Sequence, residues 1–164
     1  MRREEKMKVI KPPKWYCALE KPSLFLSGSI EQGRAENWQG LLTERLKDLD
    51  VVVYNPRRDD WDSAWEQRID FASFREQVEW ELHYIEVADV VAVYFEPTTK
   101  SPITLLELGI LSQRKPSSTV VYCPEGFWRK GNVDIVCRRY SIVNCVSWED
   151  FVYETRERLL RRVS

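Results

Sequence analysis

The run Val90-Val91-Ala92-Val93-Tyr94-Phe95, opened by Asp89, offers no polar face. A strand that is apolar on both sides must be covered on both sides, which happens inside a parallel sheet flanked by helices. Leu24-Phe25-Leu26, Val51-Val52-Val53-Tyr54 and Thr119–Cys123 have the same character, and Ser141–Val146 is a fifth short run. Helical spacing fills the gaps between them. Trp38, Leu41, Leu42, Leu46 and Leu49 mark a helix over about 34–48. A longer one covers about 71–87, with Phe74, Val78, Leu82 and Ile85 as its core stripe and Gln77, Glu81, Tyr84 and Ala88 one residue round. Residues 103–114 and about 148–161 complete the helices. Alternating strands and helices joined by right-handed crossovers predict a doubly wound, five-stranded parallel sheet in a three-layer sandwich, flavodoxin- or Rossmann-like, with strand order 2-1-3-4-5.

The chain of 164 residues suffices for one core. Residues 1–22, charged and carrying Pro12, Pro13 and Pro22, read as an extended lead-in, and 23–164 as a single domain. A net charge of -1 gives no overall attraction for nucleic acid or an anionic membrane, so neither is expected as a partner. No apolar stretch nears spanning length and the first residues lack a signal-peptide core, so a cytoplasmic location is expected. Cys17, Cys123, Cys137 and Cys145 show no metal-binding spacing, and His83 is the one histidine. Neither metal nor cofactor is expected, and His83 reads as structural. Trp38, Trp61, Trp65 and Trp128 lie among polar residues, suited to a planar ligand or a subunit contact.

Glu107 stands apart. It sits in Ser101-Pro102-Ile103-Thr104-Leu105-Leu106-Glu107-Leu108-Gly109, with apolar neighbours at helical offsets. Burying such a carboxylate is costly unless it has partners or faces a cleft, and then its pKa shifts. A hydrogen-bonded structural acid is the plainer alternative. In doubly wound sheets ligands bind beyond the carboxyl ends of the strands where the order reverses. The loops there are Ser27–Gly33 and Glu96–Pro102, and the second leads into the helix of Glu107. Ser27, Gly28 and Ser29 form a small-residue turn that lets a ligand approach the backbone. It lacks the three-glycine spacing of a dinucleotide fingerprint. Glu81, flanking the core stripe, is a candidate second carboxylate, and two acids suit chemistry at an acetal-like carbon. Arg57, Asp59 and Trp61 after the second strand, and Asn132 after the fourth, are candidates for holding a planar base. An alternating charge run such as Arg57–Asp62 is also commonly a solvated loop.

Four pieces in order, Phe25-Leu26-Ser27-Gly28-Ser29-Ile30, Asn55-Pro56-Arg57-Arg58, the helix end from Glu81 to Asp89, and Glu107-Leu108-Gly109, resemble the nucleoside 2-deoxyribosyltransferases over roughly 24–150. The resemblance implies a doubly wound fold and homo-oligomers whose neighbouring subunits help complete each site. It implies nucleosides and free nucleobases as substrates, and a place in nucleotide salvage. By the same resemblance Glu107 is the nucleophile that forms a covalent deoxyribosyl-enzyme, later displaced by a second base with net retention. Glu81 falls on the family's base-contacting acid, where most relatives have aspartate. Transferases often carry aspartate at the position of Ser101. Serine there is similar to the 5′-monophosphate N-glycosidases, so hydrolysis of a nucleoside or its monophosphate is an alternative. A non-catalytic nucleotide-binding module on the same fold is another.

Overall fold

The computed structural model, which describes residues 7–18, 20–31 and 35–162, alternates strands and helices along the chain. The strands are β1 (Lys8–Ile10), β2 (Ser23–Gly28), β3 (Val52–Tyr54), β4 (Val90–Tyr94), β5 (Thr119–Tyr122) and β6 (Val143–Cys145). The helices are α1 (Trp38–Arg45), α2 (Ala72–Val87), α3 (Pro102–Arg114), α4 (Lys130–Arg139) and α5 (Trp148–Arg161). All strand pairs are parallel, in the order β1-β3-β2-β4-β5-β6. The five strands read from the sequence keep their expected order. The sixth, β1, lies inside the segment read as a lead-in and extends the edge beyond β3, with Lys8 beside Val52 and Ile10 beside Tyr54.

Side-chain alternation along β2 sorts the molecule into layers. Phe25 faces a core built with Trp80, Tyr84, Ile85, Leu108 and Leu111, under α2, α3 and α4. Leu24 and Leu26 face the other core, with Trp38, Leu42, Leu46, Phe151 and Leu159 from α1 and α5. Trp38, read as a ligand-stacking candidate, is instead 1% exposed within this second core. Gly28 ends β2 above it. A Cβ there would lie 2.5 Å from the Trp38 ring and 2.5 Å from the Tyr94 carbonyl oxygen, so only glycine fits. Helix ends follow local chemistry. Ser147 accepts the Asp150 amide at the start of α5, whose first turn carries Glu149 and Asp150 and whose last carries Arg158 and Arg161.

Two helical readings change. The buried face of α2 is Gln77, Trp80, Tyr84 and Ile85, while Leu82 is 40% exposed. The helix is turned toward what was read as its flanking stripe, because Trp80 and Tyr84 bury more surface than Phe74, Val78 and Leu82 and find polar partners for their tips. Those partners are in the N-terminal segment. Trp80 donates its indole N–H to the Lys14 carbonyl at 2.7 Å, and the Tyr84 hydroxyl accepts the Tyr16 amide at 2.7 Å. The Tyr54 hydroxyl donates to the Tyr16 carbonyl at 3.0 Å. The second change is α4, which starts inside the stretch read as the loop after β5 and buries Val133 and Cys137 one turn apart.

His83 lies edge-on to Trp15 and Tyr84, at 5.2 and 4.9 Å between ring centres. Cys123, Cys137 and Cys145 are buried free thiols, each pushed up to about 12 chiefly by burial, and Cys17 is exposed. No helix among the described residues is long and apolar enough to cross a membrane.

The N-terminal segment is therefore tied to the core by aromatic tips. Tyr84→Phe strands the Tyr16 amide, at a cost of about 1–2 kcal/mol. Thermal unfolding should show a midpoint lower by roughly 2–6 °C. An unchanged midpoint would mean that these bonds add nothing to stability.

Candidate active site

Residues on β2 that share the face of Phe25 meet α2 and α3, and Ser27 is the next of them. Its hydroxyl donates to Glu107 Oε2 at 2.5 Å. Glu107 lies on the inward stripe of α3 with Thr104, Leu108, Leu111 and Ser112, and is 7% exposed. α3 begins at Ser101-Pro102, proline taking the first helical position where no amide is needed. Glu81 comes in from α2, one turn after Gln77. The Gln77 side-chain amide donates to Glu81 Oε1 at 2.6 Å and to the Pro56 carbonyl at 3.1 Å. Both bonds fix the orientation of the Gln77 amide, and its buried Oε1 has no hydrogen-bond partner among the described residues.

Both acids are raised above the ordinary carboxylate range. Burial pushes Glu81 up most, and the neighbouring Glu107 charge pushes it further, to about 8, while the Gln77 bond acts the other way. Burial pushes Glu107 up to about 7, and the Ser27 hydroxyl opposes that. Two acids this close titrate as one unit. Near neutrality the pair holds one proton. Ser27 favours the ionised form of Glu107 and Gln77 that of Glu81, while the Glu107 charge favours a proton on Glu81. An ionised acid beside a protonated one is the division of labour of a nucleophile and a proton donor.

Two residues further along the chain, Ser29 anchors a hydroxyl cluster. Its Oγ lies 2.5 Å from Ser101 Oγ and 3.0 Å from Thr99 Oγ1, and Thr99 Oγ1 is 2.7 Å from Ser101 Oγ. Ser29, Thr99 and Ser101 are all buried. Ser27, Ser29, Ser101, Glu107 and Glu81 thus join the carboxyl ends of β2 and β4, at the point where strand order reverses. Gly28 serves this wall by letting Trp38 close beneath it.

The remaining candidates lie away from this pair. Arg57 donates to the carbonyls of Ala35 (2.9 Å) and Glu36 (3.2 Å) and to Gln39 Oε1 (3.2 Å), clamping the segment that leads into α1. Asp59 is exposed and paired with Lys11 at 2.9 Å. Trp61 packs on Trp65, with 4.9 Å between ring centres. Asn132 is exposed on the first turn of α4. None of these four touches the carboxylate pair. Gly33 lies outside the described residues. Gln77 and Thr99 were not read as site residues. Gln77 sits four residues before Glu81, the spacing at which a helical amide can hold an acid. Among the described residues no group of three His, Cys, Asp or Glu side chains is placed to hold a metal ion.

The carboxylates' shifts carry a stability cost with a definite sign. Unfolded, each titrates near 4.5, and folded, each titrates higher. The native state therefore binds more protons over that window, and stability falls as pH rises from about 4.5 to about 8. Glu107→Gln should leave the melting midpoint nearly unchanged at about pH 4 and raise it by roughly 3–8 °C at about pH 8.5. An equal shift at both pH values would show that this acid is not destabilising when ionised.

Comparison with known proteins bears on the fold and the family. No curated protein matches the sequence. A crystal structure described as a conserved protein from Enterococcus faecalis V583 superposes with a TM-score of 0.58. It covers 85% of this chain and 99% of its own at 12% identity, a likeness of fold alone. The profile of the family described as nucleoside 2-deoxyribosyltransferase-like matches residues 21–127, which include Ser27, Glu81 and Glu107. That span is well over half of the chain, and the protein belongs to the nucleoside 2-deoxyribosyltransferase-like family.

Proposed function

We propose that the protein transfers a 2-deoxyribosyl group between nucleobases. The observation that carries this reading is the buried Glu107 carboxyl, bonded to Ser27, with the half-buried Glu81 carboxyl, bonded to Gln77, close enough to feel its charge. Glu107 Oε attacks C1′ of a 2′-deoxynucleoside as the N-glycosidic bond breaks. The bonding pair leaves with the base, and the Glu81 proton goes to the departing nitrogen. A glutamyl-deoxyribose ester results. A nitrogen of the second base then attacks C1′, Glu107 leaves as carboxylate, and Glu81 takes the incoming base's proton. Two inversions give net retention. Gln77 supports Glu81 from behind.

Incubation with thymidine or 2′-deoxyadenosine and a different free base, followed by chromatography, tests the reading. Exchange is expected, with a bell-shaped pH optimum between about 7 and about 8, where the pair holds one proton. Glu107→Ala should lower the rate by roughly 10³-fold or more, and Glu81→Gln by about 10²–10³-fold. Base release that needs no acceptor would favour hydrolysis, and nucleoside binding without turnover would favour a non-catalytic module.

A homo-oligomer is part of the proposal. Ile103 and Leu106 on α3 are 58% and 63% exposed, and Leu82 on α2 is 40% exposed. Leu82, Ile85 and Ile110 also line a depression of about 380 Å³ between the two helices, away from the carboxylates. Glu86, Gln113 and Arg114 rim the same depression, and exposed apolar side chains within a polar rim are the character of a contact surface. Ile103 and Leu106 flank Glu107 on α3, so a second subunit seated there would lie near the carboxylates. Light scattering should show an oligomer for the wild type and a smaller species for Leu106→Glu, with exchange activity reduced. An oligomer unaffected by that charge would place the interface elsewhere.

A further inference from the structure

At the end of the sheet opposite the carboxylate pair, the last turn of α5 meets the short turn Pro116–Ser118 that leads into β5. Arg158, Arg161 and Arg162 are three and four residues apart, and Arg162 keeps helical backbone angles (φ -82°, ψ -13°) as the cap of α5. The three side chains therefore share one face of the helix. With Ser117, Ser118 and Asp89 they line a depression of about 170 Å³ at the amino ends of β4 and β5. None of these residues takes part in the chemistry above.

Cations at the carboxyl end of a helix have a plain use, since they balance its partial negative charge. That use does not require them to converge on a concavity. Arg156, off this face, shows the ordinary outcome: it is paired with Asp48, its Nη1 donating at 2.9 Å. In the depression the acids are fewer than the cations. Arg158 is held in place by Glu154 through Nη1, while its Nε is buried and has no hydrogen-bond partner among the described residues. Asp89 is the one acid in the lining, and its Oδ2 already accepts the Ser23 amide and hydroxyl. The Arg162 guanidinium donates to Ser118 Oγ at 3.1 Å.

A fourth cation stands close by. Lys115 Nζ donates to the Ala88 carbonyl at 2.5 Å. Burial holds this lysine below its ordinary range, the Asp89 charge opposes that, and the Arg162 charge adds to it. Arg162 and Lys115 are thus close enough to disfavour each other, and an anion seated beside them would relieve that repulsion. The donors suit a tetrahedral oxyanion. Planar guanidinium forks match phosphate oxygens. Ser118 accepts from Arg162 and so keeps its own proton for an oxyanion, and the Ser117 side chain is exposed beside it. The depression is smaller than the roughly 300 Å³ at which drug-sized ligands are enclosed, which suits a single phosphate group with anything attached to it left in solvent.

We propose that this depression is a second ligand site, which binds a phosphate group through Arg158, Arg161, Arg162 and the hydroxyls of Ser117 and Ser118. The phosphate is either free inorganic phosphate or the phosphate end of a nucleotide. The site is independent of the transfer reading, and the presence or absence of base exchange does not bear on it.

Amide NMR on the full chain tests it, with inorganic phosphate titrated near neutral pH against sodium chloride at matched ionic strength. Saturable shifts are expected at the amides of Ser117, Ser118 and Arg162 with phosphate and not with chloride. Arg162→Gln removes an exposed charge outside both cores and should weaken phosphate binding about 10- to 100-fold. Arg156→Gln removes the same charge from α5 away from the depression and should change binding by less than about twofold. A parallel titration with thymidine 5′-monophosphate separates the sources. Tighter binding than phosphate at the same amides identifies a nucleotide, equal or weaker binding identifies free phosphate, and both support the site. The proposal is overturned by no saturable shift at these amides, by equal shifts with chloride, or by shifts confined to the loops of Ser29 and Ser101. Equal affinity in a folded Arg162→Gln, or an equal loss in Arg156→Gln, overturns it as well.

Discussion

Two carboxylic acids share one desolvated space beneath the carboxyl end of β2, and the surrounding structure is arranged to tolerate them. Among the described residues neither has an ion-pair partner. Ser27 supplies one donor to Glu107, and Gln77 supplies one to Glu81. That support is too little to keep both ionised, so burial and mutual repulsion retain a proton on the pair. The proton makes the site chemically asymmetric although the two side chains are identical. The same arrangement costs stability above neutral pH, and the two apolar cores on either face of the sheet must offset it. An acid kept at such a cost, where strand order reverses, is better explained by chemistry than by folding.

The pair depends on strand parity. Phe25, Ser27 and Ser29 point toward α2 and α3, while Leu24, Leu26 and the bare Cα of Gly28 point toward α1 and α5. A one-residue slip of β2 would bury Ser27 against Trp38 and place Leu26 beside Glu107. Register is held by neighbours on both sides, Ser23 beside Val52 and Gly28 beside Tyr94. Ser23 secures it further, its amide and hydroxyl both donating to Asp89 Oδ2, at 2.8 and 3.1 Å. The hydroxyl cluster and Glu31, whose Oε1 accepts the Ser101 amide at 2.9 Å, then build the far wall from the loops after β2 and β4.

Much of this was legible in the chain. The continuously apolar runs determine parallel strands, and their alternation with helices determines the order of the five central ones. Glu107 stands out because Ile103, Ile110 and Leu111, at helical offsets, and both chain neighbours are apolar. Glu81 was legible only as a member of a flanking stripe. The face of α2 that turns inward was not legible, because the stripe with more aliphatic residues lost to the one with Trp80 and Tyr84. Their advantage includes hydrogen bonds to Lys14 and Tyr16, some 66 to 68 residues distant in sequence. For the same reason β1 was hidden: three residues in a charged, proline-bearing segment form a strand only because β3 presents an unpaired edge.

The polar loop residues divide along the same line. Arg57, Asp59, Trp61 and Asn132 have side chains suited to a base, and type alone does not say whether a ligand or the protein takes them. The fold gave Arg57 to the segment before α1, Asp59 to Lys11 and Trp61 to Trp65. It gave Glu31 to the first turn of α3. By itself the sequence determined the layered sheet and the acid aimed at its switch point, because apolar periodicity is a local property and hydrophobic burial acts on it directly. Tertiary structure alone decided which helix face is inside, which strand caps the edge and which polar groups remain for a ligand. Those outcomes depend on partners brought together across the chain, and no local pattern records them.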